Sequence, residues 1–443
     1  MFLNFFFIPL LSTVLFILAL YPCALKIGLT DKPCHRKQHK KQTPLIGGLA
    51  IYFTVLATLF FNNNPFPNQA AFIAATMLLV CVGLIDDYKG LGVKIRFMAQ
   101  IAAVLIMSEF AHIKIIDLGD FLGLGNVHLG NYSATAFTLF VVVGGINAFN
   151  MIDGIDGLAG SLTLISISSI AVVSWIFQDE MIFKFCLMFI ASIVAFLLFN
   201  LRIFGRSSAK IFLGDTGSTL FGFTVCWLLI DVSQGEKNMI TPTTALWIMA
   251  LPLFDSVCIM LRRISKGRSP FSPDREHLHH VYQVAGYNIN QTLSIMLTLS
   301  FSLSFIGITA SLLLKVPESV LFVFFILLSA SHYWLMNHSW TVIKICRYLS
   351  HTRIYDRRVE NIKVEVERRS GIDRRYVPNQ QELEKINTSN AFFRATLLRQ
   401  RFLHENYGEK ISKPRKNKHI HIKIKSNVLI DEFVSSDGIK PSD

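Results

Sequence analysis

The feature that most constrains this chain is the recurrence of apolar stretches long enough to cross a bilayer. A spanning helix needs roughly 20 mostly apolar residues. About eleven such stretches follow one another, near 4–24, 45–61, 70–85, 97–113, 133–149, 161–177, 183–199, 216–231, 243–261, 291–313 and 317–336. With 52% hydrophobic residues, 37 Phe and a mean hydropathy of +0.45, the chain is far more apolar than a soluble core requires. The excess faces lipid, so the expected fold class is an all-α polytopic membrane bundle. No Lys or Arg precedes the first stretch and the first cation is Lys26, on its far side, so it reads as a retained helix rather than a cleaved signal. Seven scattered cysteines without a CxxC pair suggest neither a zinc site nor a disulfide framework and are read as packing residues.

Charge gives the orientation. Numbered from the N-terminus, the odd connections hold 17 Lys and Arg, from Lys26 to Arg275, whereas the even ones hold four: Lys114, Lys184, Lys237 and Lys315. Cytoplasmic loops carry the excess of cations. The N-terminus is therefore expected outside and the C-terminus in the cytoplasm. Parity then tests the polar motifs independently, because Asp86–Asp87, Asn147 to Asp156, Asp215 and His277 to His280 all fall at odd connections. The chemistry-bearing residues share one face.

Residues 337–443 are different in kind: hydrophobicity ends, and 22 Lys and Arg stand against 13 Asp and Glu, a net +9. They read as a basic, partly disordered cytoplasmic tail, drawn to anionic headgroups by about 1 kcal/mol per well-placed cation. Its densest cluster, ERRSGIDRRY (367–376), suits a phosphate or nucleotide. Nucleic acid is not an expected partner.

Four segments carry candidate chemistry. In GLIDDYKGLGVK, Asp86 and Asp87 lie at the end of the third stretch, where adjacent carboxylates near an apolar phase call for a cation, or act as a base tuned by its neighbour. In NAFNMIDGIDGLAG, Asn147, Asn150, Asp153 and Asp156 crowd ten residues, and Gly154, Gly157 and Gly160 let backbone approach a ligand. In KIFLGDTGSTLFGF, Asp215 precedes an apolar run: an N-cap position, and equally a place for phosphate oxygens or for Mg²⁺, which prefers one or two carboxylates plus substrate phosphates. In RRISKGRSPFSPDREHLHHVY, Arg262, Arg263, Lys266, Arg268 and Arg275 lead to His277, His279 and His280. Three histidines suggest zinc, but without a nearby Cys and among hard acids they suit phosphate better. Together the loops suit a diphosphate held by a divalent cation and attacked by a lipid phosphate.

These residues resemble the polyprenyl-phosphate N-acetylhexosamine-1-phosphate transferases, most closely the undecaprenyl-phosphate GlcNAc-1-phosphate transferases of the WecA type. The resemblance covers about residues 20–290 and rests on DKPCHRKQHKKQTPLIGG (31–48), DDYKGL (86–91), NAFNMIDGIDGLAG (147–160), FLGDTGS (212–218) and SPDREHLHH (272–280). It implies Mg²⁺ or Mn²⁺ held by Asp215 with Asn150 as second ligand. Asp86 or Asp87 would deprotonate or position the lipid phosphate. Asn147, Asp153 and Asp156 would serve the nucleotide side, with Asp156 near uracil. His277, His279 and His280, with Arg275, would contact phosphates or the amino sugar, His279 and His280 in catalytic roles. Arg36, Lys37 and His39 would meet the uridine or the lipid phosphate. The related muramyl-pentapeptide transferases carry three consecutive histidines, whereas HLHH follows the GlcNAc pattern.

The resulting expectation is a transferase domain over 1–336 in a bacterial inner membrane, its site facing the cytoplasm. It would move GlcNAc 1-phosphate from UDP-GlcNAc to undecaprenyl phosphate, starting O-antigen or a related surface polysaccharide. Its partners would be the UDP-N-acetylhexosamine, the polyprenyl phosphate and the bilayer, with a homodimer left open. The alternatives are another UDP-N-acetylhexosamine or UDP-MurNAc-pentapeptide as donor, a secondary transporter, whose acids should cluster at mid-membrane, and a scaffold acting through the tail.

Overall fold

The computed structural model describes residues 4–31, 42–61, 68–203, 205–206, 208–235, 238–269, 277–338 and 343. Thirteen α-helices succeed one another among them: α1 Asn4–Ile27, α2 Gly47–Phe61, α3 Gln69–Lys89, α4 Val93–Leu105, α5 Asn131–Ile152, α6 Leu158–Ile176, α7 Glu180–Asn200, α8 Gly214–Ser233, α9 Pro242–Ile248, α10 Ala250–Ser265, α11 Leu278–Ala285, α12 Ile289–Ile308 and α13 Glu318–Asn337. α4 and α12 each run on into a π-helical turn, Ile106–Phe110 and Thr309–Leu313. Eight helices are long and apolar enough to cross a membrane, and the bent pair α9–α10 makes a ninth if taken as one span. α2 is apolar too, but has only 15 residues.

α8 is the centre of the bundle. In its most apolar window 94% of the residues are buried, against 17% in α1 and in α13, which stand at the lipid-facing rim. Small residues let neighbouring backbones come this close. A methyl on Gly48 of α2 would lie 2.3 Å from the Gly217 nitrogen, and one on Gly83 of α3 would lie 2.6 Å from the Thr216 Cα. On the other side of α8, a methyl on Gly222 would meet the Ile146 Cα of α5 at 2.7 Å.

The ninth apolar stretch is not one straight helix: α9 and α10 meet at 83°. Pro252 has no N–H to give to Ile248, and its ring excludes a continuous turn there. The released Ile248 carbonyl accepts from Ser166 Oγ at 3.3 Å and Ser304 Oγ at 3.1 Å, so the break is satisfied by neighbouring helices.

Two features were not visible in the hydropathy pattern. The loop read as 262–290 contains α11, and the all-α expectation gains a two-residue antiparallel pair, β1 Thr30–Asp31 with β2 Thr43–Pro44. β2 continues into a ladder with the segment before α8: Phe212 N donates to Pro44 O at 2.8 Å, and Gly47 N and Gly48 N donate to Phe212 O and Leu213 O, both at 3.0 Å. TPLIGG thus holds FLGD in place.

Candidate active site

The polar motifs converge at one end of the bundle, where α3 and α5 finish and α6, α8 and α11 begin. Gly214 opens α8 with φ +77°, a conformation suited to glycine, and a methyl there would lie 2.5 Å from an Asp87 carboxylate oxygen. No α8 residue caps the helix with its own side chain. Asp87 does so from α3: Oδ1 accepts from Asp215 N at 2.8 Å, and Oδ2 from Thr216 N at 3.1 Å and Thr216 Oγ1 at 2.7 Å. A carboxylate on exposed N–H groups at a helix start satisfies orphan donors and opposes the dipole.

Asp86 turns the other way. It is 8% exposed, and Oδ1 accepts from Leu91 N, which fixes the turn after α3. Its Oδ2 accepts no hydrogen bond among the described residues but lies 3.1 Å from Arg96 Nη1, and the same nitrogen is 3.6 Å from Asp215 Oδ2. Asn150 Nδ2 donates to Asp215 Oδ1 at 2.7 Å and to Ser218 Oγ at 2.9 Å. Asp86, Arg96, Gln100, Asn150, Asp215 and Thr219 line a cavity of about 20 Å³, room for one water-sized guest.

The other predicted residues take distinct positions. Asn147 Nδ2 donates to Gln100 Oε1 and Val143 O, both at 2.8 Å, so that amide group ties α5 to α4. Asp153 ends α5, and its carboxyl is pushed up to about 7, first by the packing around it and then by the charges of Asp215, Asp156 and Asp87. The like charges are the part of that shift that a bound cation relieves. Asp156 Oδ2 accepts from Arg202 Nε at 2.7 Å and Ala209 N at 3.1 Å, clamping the connection between α7 and α8.

His277, His279 and His280 sit at the start of α11, with ring centroids 5.5 Å apart for the first and second and 4.2 Å for the second and third. His279 is 1% exposed and packs on Gly154, where a methyl would lie 2.2 Å from Nε2. Gly154 is thus the point at which the histidine segment meets the Asn150–Asp156 loop. Burial first, then His280 and His277, push the His279 imidazole well below its ordinary range, so it is neutral. Arg36, Lys37, His39, Arg275 and the 367–376 cluster lie outside the described residues.

Sequence reasoning passed over Gln100, Asn200 and Asp255, and counted Arg96 only as a loop cation. Asn200 joins two motifs, accepting from Gly157 N at 2.7 Å and donating to Ile211 O at 2.8 Å. The signal for Gln100 and Asp255 was a lone polar group inside an apolar helix, which is costly in lipid unless it is used.

Residues 69–233, the segment from α3 to the end of α8, match the glycosyl transferase family 4 model. The undecaprenyl-phosphate alpha-N-acetylglucosaminyl 1-phosphate transferase of Escherichia coli strain K12 is 38% identical over 337 residues, covering 76% of this chain and 91% of that protein. The chain belongs to the polyprenyl-phosphate N-acetylhexosamine-1-phosphate transferases. Relatives of the same name from Yersinia pestis and Haemophilus influenzae are 36% and 33% identical, over 76% and 77% of this transferase and 92% and 96% of their own lengths.

The residues at the polar end of the bundle suit a divalent cation. A buried Asp86 oxygen lacks a hydrogen bond, Asp215 and Asn150 face the same small cavity, and Arg96 supplies the positive charge between the carboxylates. Among the described residues no group of three or more His, Cys, Asp or Glu is placed to hold a metal ion, so a cation here would need ligands beyond these carboxylates. Mg²⁺ commonly takes one or two carboxylates and completes its shell with water and substrate phosphates.

Proposed function

We propose that this transferase moves GlcNAc 1-phosphate from UDP-GlcNAc to undecaprenyl phosphate, releasing UMP, at the cytoplasmic face of a bacterial inner membrane, as the first membrane step of O-antigen or a related glycan. Donor and acceptor are supported by the shared name of the relatives. The carrying observation is the joining of Asp86, Asn150 and Asp215 around one cavity at a helix end. The positive-inside count supports the orientation with the N-terminus outside, and residues 337–443 are taken as a cytoplasmic tail beyond the 1–336 domain.

Asp215 and Asn150 would hold Mg²⁺, which when bound would neutralise negative charge developing in the transfer. Asp86, with a free lone pair on Oδ2, receives the proton of a lipid phosphate or orients its oxygen. That oxygen bonds to the sugar-linked phosphorus of UDP-GlcNAc, and the bond from this phosphorus to the bridging oxygen breaks, so the electron pair leaves with UMP. Arg96 is placed to take over phosphate charge from the carboxylates. Asp87 fixes the backbone that carries Asp215. A transporter reading is disfavoured by the location of the acids, since Asp87, Asp153 and Asp215 stand at helix ends rather than at mid-helix.

The test is UMP release by purified protein given undecaprenyl phosphate, Mg²⁺ and a panel of UDP-N-acetylhexosamines and UDP-MurNAc-pentapeptide. Release with UDP-GlcNAc alone, lost in Asp215→Asn, is the expected result. Release with a different donor refutes the donor assignment, and no release with any donor refutes the reaction.

A further inference from the structure

α10 holds a carboxylate that no motif contains. Asp255 is 0% exposed, in a segment, LPLFDSVCIM, that is otherwise apolar on both sides. Both its oxygens are directed at the first two residues of the histidine segment. Oδ2 is 2.8 Å from His277 Nδ1, and Oδ1 accepts from Leu278 N at 2.9 Å. His277 is the N-cap residue of α11 and makes no capping bond with its own side chain. The cap is supplied from α10.

An ionised carboxylate only accepts hydrogen bonds. The backbone N–H of Leu278 can only donate, and the ring nitrogen facing Oδ2 must donate as well. That contact therefore selects the His277 form with its proton on Nδ1 and leaves Nε2 as the nitrogen for a ligand. The consequence extends along the segment. The His277 ring stacks on that of His279, 5.5 Å between centroids and 15° between planes, and His279 packs on Gly154, four residues from Asn150.

We propose that Asp255 is a positioning residue for the transfer reaction: it holds His277 as the Nδ1–H tautomer and seats the start of α11, so that His277 meets the nucleotide sugar through Nε2. The inference rests on the transferase reading and assigns to it a residue outside the recognised motifs. Residues that orient a working imidazole typically cost roughly 10–100-fold when replaced.

Asparagine separates orientation from mere support. In Asp255→Asn the amide oxygen keeps Leu278 N, while the amide NH₂ faces Nδ1 and forces the proton to Nε2. The parent, Asp255→Asn, His277→Gln and the double variant are compared by UMP release from UDP-GlcNAc and undecaprenyl phosphate with Mg²⁺, and by Tm in detergent. The expected result is a fall in kcat/KM of roughly 10–100-fold for Asp255→Asn, and no further loss when it is added to His277→Gln. Parent-like kinetics in Asp255→Asn, or losses that multiply in the double variant, overturn the proposal.

A second measurement needs no active or stable Asp255 variant. In histidine-selective ¹⁵N spectra of the parent, the resonances removed by His277→Gln should show a protonated Nδ1 beside an unprotonated Nε2. An unprotonated Nδ1 overturns the proposal. If the parent itself releases no UMP, the transferase reading fails while the spectra still decide the tautomer.

Discussion

Replacing Asp87 by asparagine separates the work of two adjacent acids. Asp87 accepts three hydrogen bonds from the start of α8, one through Oδ1 and two through Oδ2. An amide has one accepting oxygen. Its best placement keeps both Thr216 donors and turns NH₂ toward the Asp215 N–H, so at least one charge-assisted bond is lost, worth about 1.5–3 kcal/mol. Removing the negative charge from the helix start forfeits about 0.3–2 kcal/mol more. The sum, about 2–5 kcal/mol, corresponds at roughly 2–4 °C per kcal/mol to a fall in Tm of at least about 4 °C. Activity should fall at least about tenfold as well, since the displaced backbone carries Asp215 and small misplacements of reacting groups are expensive. Asp86→Asn should behave differently, because Arg96 keeps its contact with Asp215 and the α8 cap is untouched: UMP release falls by at least about 100-fold, with Tm within about 2 °C of the parent. Thermal unfolding in detergent and UMP release, measured on both variants, decide the matter. An Asp87→Asn protein as stable as the parent refutes the capping argument, and an active Asp86→Asn protein refutes the assignment of Asp86 to the lipid phosphate.

Three further outcomes follow from the geometry. Gly154→Ala places a methyl 2.2 Å from His279 Nε2, so the buried ring has to move; KM for UDP-GlcNAc should rise, while overpacking costs about 1–3 kcal/mol of stability, a fall in Tm of at most about 12 °C. Asp156→Ala releases Arg202 and Ala209, and trypsin should then cut after Arg202 or Arg206 faster than in the parent; unchanged cleavage with lost UDP binding would instead favour a direct contact with uracil. The Asp153 carboxyl titrates near 7, raised above the unfolded carboxylate value, so ionising it costs the fold stability as pH rises from about 4 to 7. A cation reverses that cost: apparent Mg²⁺ affinity should rise with pH up to about 7 and then level off, and Asp153→Asn should flatten the profile.

How much of this was legible in the sequence depended on the range of the interaction. Each apolar stretch named from hydropathy contains a helix, because a run of that length near lipid has no other way to pair its backbone. The break after Ile248 follows from Pro252, which the hydropathy reading of 243–261 as one stretch passed over, and its satisfaction by Ser166 and Ser304 comes from helices far apart in sequence. The acidic pair was visible as a pair, but Asp86 and Asp87 were indistinguishable until their neighbours were placed: Arg96 ten residues on, Thr216 across the bundle. The crowding of amides and acids in NAFNMIDGIDGLAG was visible in the sequence, but Asn147 and Asp156 spend polar atoms on Gln100 and Arg202, partners that no local pattern reveals. Asp255 showed the same limit most plainly, as a single acid in an apolar helix whose meaning depends on a histidine 22 residues away.

The way α8 is seated bears on how such a protein could change its substrate. At Gly48 and Gly83 the backbones of α2 and α3 lie directly against the backbone of α8 beside Asp215, so a side chain added at either position finds no flexible neighbour to displace and must move whole helices. The histidine segment is held differently, by a carboxylate from α10 at its first two residues and by the packing of His279 on Gly154. An engineered change at Gly48 or Gly83 would therefore have to be introduced together with the helices that surround it, whereas a change in the histidine segment meets side chains that can adjust.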